Sequence, residues 1–143
     1  MGTDVRATIS KKNLYYISKH RFYELKHYCL QYNEWKKLKR DLEDSLISSS
    51  KGVRTDLEWI DPTGNIAVKI HDLSLKMKEI EDLVCMADKE LSKYLFIAVT
   101  EGVSYTYLKT VLNMPCSKEY FYKQYRKFWW LLSNDKTRNL HVF

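Results

Sequence analysis

Apolar side chains recur along most of this chain at intervals of three and four residues, the spacing that places them on one face of an α-helix. From Ser18, whose hydroxyl suits a helix N-cap, they fall at Phe22, Leu25, Cys29 and Tyr32, then at Trp35, Leu38, Leu42 and Leu46. The phase slips by one residue between Tyr32 and Trp35, with Asn33 at the slip, which predicts a kink or short turn there. The polar run Ser48-Ser49-Ser50-Lys51-Gly52 and the residues up to Ile60 predict a linker. Asp61-Pro62 is a strong helix start, because Asp accepts from free first-turn amides and Pro lacks an N–H that would be orphaned there. Ile66, Ile70, Leu73, Met77, Ile80, Val84 and Ala87 then alternate four-residue and three-residue steps. Such a run builds either a long helix in a bundle or the seam of a dimeric coiled coil.

Asp88 is expected to cap a helix that runs through Thr100 and is packed by Leu91, Leu95 and Ala98, with Gly102 at the left-handed position after it. Ser104 opens a short helix carrying Tyr105, Leu108 and Leu112. Pro115 breaks the pattern over Asn113 to Cys116, since it cannot donate and biases Met114 away from helical angles. Ser117 caps the last helix, where Phe121, Tyr125, Phe128 and Leu132 form one stripe. The expected fold is therefore all-α. A flexible arm (1–17) precedes an N-terminal helical segment (18–47) and a linker (48–60). A long helix with a C-terminal tri-helical helix-turn-helix follows (61–132), then a tail (133–143).

Composition sharpens this picture. Four glycines and two prolines in 143 residues leave few helix breakers, and the 14% of aromatic residues supply core volume. Lys and Arg outnumber Asp and Glu by 24 to 18, and the excess is segregated. Residues 1–50 carry a net +4, residues 51–103 a net −3 and residues 104–143 a net +5. Cationic ends suit a polyanionic partner, and a solvated basic face gives the same count. Cys29, Cys85 and Cys116 are odd in number and widely spaced, which argues against a disulfide framework or a zinc site. The N-terminal sequence MGTDVRATISKKN lacks the apolar core of an export signal, and no apolar run approaches a membrane span. The expectation is a soluble cytoplasmic protein that does not enter the membrane.

Candidate chemistry concentrates after Leu91. A helix, a bend, a short helix, a turn and a longer basic helix follow one another in the order of a helix-turn-helix, whose last helix enters the major groove. With Phe121, Tyr125 and Phe128 inward, Lys118, Glu119, Tyr122, Lys123 and Arg126 lie outward. Lys118, Tyr122, Lys123, Arg126 and Lys127 are the candidate DNA-binding residues, and Lys136 and Arg138 would add backbone contacts. Lys and Arg neutralise phosphates, Arg or Lys can fork onto guanine, and a phenol can donate to a phosphate oxygen. Lys109 occupies a turn of the short helix where a small residue usually permits close packing. Adjacent Trp129 and Trp130 cannot both face one core; Trp129 is expected at its boundary and Trp130 at an interface. With Trp130, the residues Ile66, Ile70, Leu73, Met77 and Ile80 make the candidate oligomer interface. His20 and His27 lack a third ligand at metal spacing, and the acidic groups at Asp41, Glu43, Asp44 and at Glu79, Glu81, Asp82 read as solvated helix faces. No phosphate loop, nucleophile elbow or Cys/His pairing is visible, so no metal, cofactor, small-molecule substrate or enzymatic activity is expected.

The segment YELKHYCLQYNEWKKL, the Asp61-Pro62-Thr63 start, and EGVSYTYLKTVLNMPCSKEYFYKQYRKFWWLL resemble small proteins of Gram-positive prophages and mobile elements. Within that group they are most similar to the RinA/ArpU type of phage transcriptional regulator, over residues 20–132. The resemblance implies a helix-turn-helix similar to region 4 of sigma factors, opened by Glu101, Gly102, Val103 and Ser104. It places the recognition helix from Ser117. In the family that helix is usually arginine-rich; here it is richer in tyrosine. The implied activity is transcriptional regulation in a bacterial host, by a homodimer on double-stranded DNA, with RNA polymerase as a candidate partner. Two other functions fit the same residues: a small terminase-like DNA-packaging subunit, and a protein-interaction module that does not touch DNA.

Overall fold

In the computed structural model of the protein, which describes residues 13–50 and 62–140, the three-and-four spacing becomes six helices. They are α1 (Lys19–Leu30), α2 (Tyr32–Ser50), α3 (Pro62–Ala87), α4 (Ser92–Glu101), α5 (Tyr105–Thr110) and α6 (Lys118–Leu140), and no strand occurs among the described residues. Three starts follow one local chemistry. The hydroxyls of Ser18, Ser104 and Ser117 accept from the amides of Arg21, Tyr107 and Tyr120 at 3.3, 3.2 and 3.2 Å, satisfying donors that the first turn leaves without partners. Asp88 acts one step earlier than a simple cap: its Oδ1 accepts from Leu91 N at 2.9 Å, and α4 begins at the next residue. Gly102 closes α4 at φ 69°, and its N–H donates to Ala98 O. The expected capping by Asp61 lies outside the described residues, as do residues 1–12, 51–60 and 141–143.

The chain divides into two units, residues 32–79 and the remainder, with the boundaries between Gln31 and Tyr32 and inside α3 after Glu79.

In the larger unit, α1 packs on α4 and α6, and α5 packs on α4. Their shared core contains Phe22, Leu25, Cys29, Ile80, Leu95, Val99, Leu108, Met114, Phe121, Phe128, Trp129 and Leu132, all essentially without exposed surface. Each large apolar side chain removed from water in this way is worth roughly 1.5–3 kcal/mol before ordering costs. The rings interlock edge-on. Trp129 meets Phe22, Tyr125 and Phe128 at centroid distances of 5.4, 5.6 and 4.9 Å and interplanar angles of 75° or more.

Residues 32–79 contain α2 and most of α3. Tyr32, Trp35 and Leu73 are buried, and the Lys76 ammonium lies 5.6 Å from the Trp35 ring centre. Leu42, Leu46, Ile66, Ile70 and Met77 are half-buried, and Leu38 and Ile47 are exposed.

Several sequence-based expectations are corrected. The break after α1 falls at Gln31, whose N–H donates back to the carbonyls of Tyr28 and Cys29, two residues before Asn33. Ser48 to Ser50 continue α2 and do not begin the linker. The arm is not free throughout: Asn13 Oδ1 accepts from Tyr15 N at 2.9 Å, and Ile17 is buried. The tail is helical through Leu140. Arg21 holds its start, with Nε donating to Ser133 Oγ at 3.1 Å, and Lys136 stacks 3.6 Å over the Tyr28 ring. Trp129 is fully buried where a boundary position was expected, and its indole N–H has no hydrogen-bond partner among the described residues. Ile80 and Leu73 are buried within the single chain, which removes them from a seam open to a second copy. The three thiols are graded: Cys29 buried, Cys116 half-buried, Cys85 exposed.

Candidate nucleic-acid interface

The helix before the turn supplies the fastening. Lys109 of α5 reaches over the turn and donates from Nζ to the carbonyls of Met114 and Cys116 at 3.2 and 3.4 Å. The Tyr105 hydroxyl donates to the same Cys116 carbonyl at 3.1 Å. Met114, expected only as part of a helix break, is fully buried, and its N–H donates to Leu108 O at 3.1 Å. Asn113 takes φ 55°, a left-handed conformation that asparagine tolerates better than most residues. Lys109, at a position where a small residue usually permits close packing, therefore has a positive use: its ammonium gives a further donor to two carbonyls of the turn that also accept from Cys116 N and from the Tyr105 hydroxyl.

From this turn α6 emerges with its rings on one side. Phe121, Tyr125, Phe128 and Leu132 are buried, as the stripe predicts. Gln124 is also buried, a placement that no spacing signal marks. The first turn of α6 is tied down by Tyr120, whose hydroxyl donates to Asp88 Oδ2 at 2.5 Å. That bond is the main reason the Tyr120 phenol titrates above its ordinary value. Glu119, in the same turn, complements the positive end of the helix dipole.

On the other side of α6 lie the five residues singled out from the sequence. Lys118 and Lys123 are exposed; Tyr122, Arg126 and Lys127 are half-buried. The helical repeat arranges them in two rows, Lys118-Tyr122-Arg126 and Glu119-Lys123-Lys127. Within the first row the Lys118 ammonium stands 5.9 Å from the Tyr122 ring centre. Tyr122 rests on Tyr105 and Phe121, at 6.1 and 5.4 Å. Burial pushes its phenol above the ordinary value, helped by Tyr105, so the hydroxyl remains a proton donor through neutral pH. Among the described residues neither Lys123 nor Arg126 is paired with a carboxylate. The arrangement can thus present three ammonium groups, one guanidinium fork and one phenol donor from a single helix.

The other candidate residues are dispersed. Trp130 is half-buried, with Tyr15 of the same chain edge-on at 5.5 Å. Ile66, Ile70 and Met77 lie half-buried in the smaller unit. Lys136 is occupied at the Tyr28 ring, and the side chain of Arg138 lies outside the described residues. His20 and His27 are both exposed, and no group of three potential metal ligands occurs among the described residues. An open apolar groove lined by Val84, Cys85, Phe96 and Ile97 belongs to α3 and α4, with no α5 or α6 residue in its wall. No helix among the described residues is long and apolar enough to cross a membrane. Comparison of the chain with family models, with curated proteins and with solved structures returns no match.

Proposed function

We propose that this chain is a DNA-binding transcriptional regulator that reads double-stranded DNA with the first half of α6. The observation that carries this reading is the cationic face at Lys118, Lys123, Arg126 and Lys127, unpaired with any carboxylate of the described residues at Lys123 and Arg126, on a helix anchored by its ring-bearing side. In this scheme α5 lies across the phosphate backbone and the start of α6 faces base edges. Lys123 and Lys127 neutralise phosphates, and the Tyr122 hydroxyl donates to a phosphate oxygen. Arg126 is the side chain suited to a forked contact with guanine. The sequence resemblance to RinA/ArpU-type regulators supports the same class and a setting in a phage or mobile element.

Titration of binding to duplex DNA against salt tests the proposal. Log affinity should fall linearly with log salt, and K123A/R126A should flatten the slope by about one, for the phosphate that Lys123 no longer neutralises, while the loss of Arg126 relaxes the preference for guanine. The full reversal K123E/R126E should abolish measurable binding. If the intact chain has no affinity for duplex DNA at low salt, or if the double variant keeps the intact slope, this reading of α6 is wrong.

A further inference from the structure

Helix α2 carries its charges in an order that a lone helix disfavours. Residues 36–40 hold four basic side chains and no acidic one; residues 41–44 hold three acidic side chains and no basic one. Neighbours three and four residues apart on a helix interact, and like charges there repel. Lys36 has Lys39 and Arg40 as such neighbours, Lys37 has Arg40, and Asp41 has Asp44. Opposite charges four apart are better with the acid first, whereas Lys39 precedes Glu43, and the two approach only to 3.8 Å. A sequence that runs against its local rules does so most often where function requires it.

The placement of these cations is a second, independent observation. At about 100° per residue, Asn33, Lys36, Lys37 and Arg40 fall within about 100° of arc, centred opposite the stripe of Trp35, Leu38, Leu42 and Leu46. All four are exposed. The stripe side meets protein: Trp35 is buried, with the Lys76 ammonium over its ring, and Leu42 and Leu46 are half-buried. Lys39 is half-buried and drawn to Glu43, but Lys36, Lys37 and Arg40 form no ion pair with any carboxylate of the described residues. Asp44 lies on the same face one turn beyond Arg40 and closes the patch. From Lys36 to Arg40 the helix rises about 6 Å. One strand of duplex DNA carries a charge about every 3.4 Å of its axis, so three cations over this span match two or three consecutive phosphates. A membrane surface fits less well. Helices that lie on lipid set their cations beside a broad apolar face that enters the bilayer. Here the apolar stripe is on the opposite side, and Ile47, the exposed apolar residue on the patch side, lies beyond Asp44.

We infer that Lys36, Lys37 and Arg40 of α2, with the Asn33 amide beside them, form a second contact for duplex DNA, made to phosphates and neutral to base sequence. A phosphate among these cations relieves their mutual repulsion, so the bound helix is more stable than the free one. The inference takes the identity of its polyanion from the regulator reading, but none of its residues from α6. Three phosphate contacts are too few to hold a duplex at moderate salt, so α6 still decides whether binding is measurable there.

The test is acetylation of the full chain at low salt, with and without a duplex of mixed sequence, each lysine being read by mass spectrometry. DNA should protect Lys36 and Lys37, while Lys78, an exposed lysine of the same unit, stays reactive. K36A/K37A/R40A should flatten the salt dependence of duplex binding by about three, without changing which sequences are enriched from a random pool. K36R/K37R should keep the intact slope. The altered positions are exposed and alanine favours helix, so helical circular dichroism should be unchanged. Amides of α2 should exchange more slowly once DNA is bound. Lys36 and Lys37 left reactive in the complex would overturn the inference. So would equal protection of Lys78, an intact slope in the triple alanine variant, or protection by phosphatidylserine vesicles and not by duplex. Protection at Lys118, Lys123 and Lys127 alone would sink the α2 contact and leave the α6 reading standing. Protection at Lys36 and Lys37 alone would do the reverse.

Discussion

Tyr120 is a surface phenol that fastens two parts of the chain, since its bond to Asp88 ties the first turn of α6 to the corner before α4. The phenol titrates above its ordinary value because of that bond, and the direction of the pH effect follows. Below about pH 10, the usual phenol value, the hydroxyl is protonated in folded and unfolded chains alike and the bond contributes in full. As pH rises further the unfolded chain loses its proton first, so the contribution drains away through the raised folded value. Thermal melts between pH 9 and 11 should therefore decline less steeply for Y120F than for the intact protein. An equal decline would mean that the bond does not couple to stability. Tyr122 is raised as well, chiefly by burial, and should preserve part of the alkaline loss in the variant.

Among the helices, the starts were the most legible part of the sequence, because a serine cap acts over three residues and needs no tertiary information. Ser18, Ser104 and Ser117 each perform the capping that their position suggests. Ends and buried arcs were less legible. The last turns of α6 carry no apolar repeat, and their helicity depends on contacts from Arg21 and Tyr28, more than a hundred residues away. Trp129 and Gln124 escaped because α6 buries an arc wider than a single stripe, with α1 packed against it. Met114 escaped because a residue preceding proline reads as a break, although the turn folds it inward. The outward placement of Lys118 and Lys123 was readable, since it needs only the helical repeat and the position of the rings. Gly102 gives a direct test at this scale. It sits at φ 69°, and a Cβ there would approach Leu30 Cδ2 to 3.3 Å. G102A should lower unfolding stability in urea by about 1 kcal/mol or more, as expected where alanine must adopt a left-handed backbone. A neutral substitution would show that α4 can end differently.

Over the molecule as a whole, burial is unevenly shared. Among the described residues every side chain with less than 2% exposure belongs to the larger unit, whereas the best buried ones of the smaller unit, Tyr32, Trp35 and Leu73, retain 6–7%. Local opening free energies follow the density of buried apolar contact. Native-state hydrogen exchange should find the slowest amides around Leu25, Leu95, Leu108 and Phe128. Amides of α2 and of α3 before Glu79 should exchange sooner, through openings that leave the larger unit intact. Uniform protection across both units would contradict this division.

The graded placement of the thiols has an analytical consequence. Cys85 faces solvent and Cys29 has no accessible surface, while Cys116 is half-buried with its thiol pushed up mainly by burial, against the opposing pull of Lys109. Alkylation depends on thiolate and on access. A maleimide reagent at neutral pH should add one adduct quickly and a second slowly, with the third appearing only once the α1 core has come apart. Counting adducts by intact mass thus turns three scattered cysteines into an internal gauge of whether a preparation is folded.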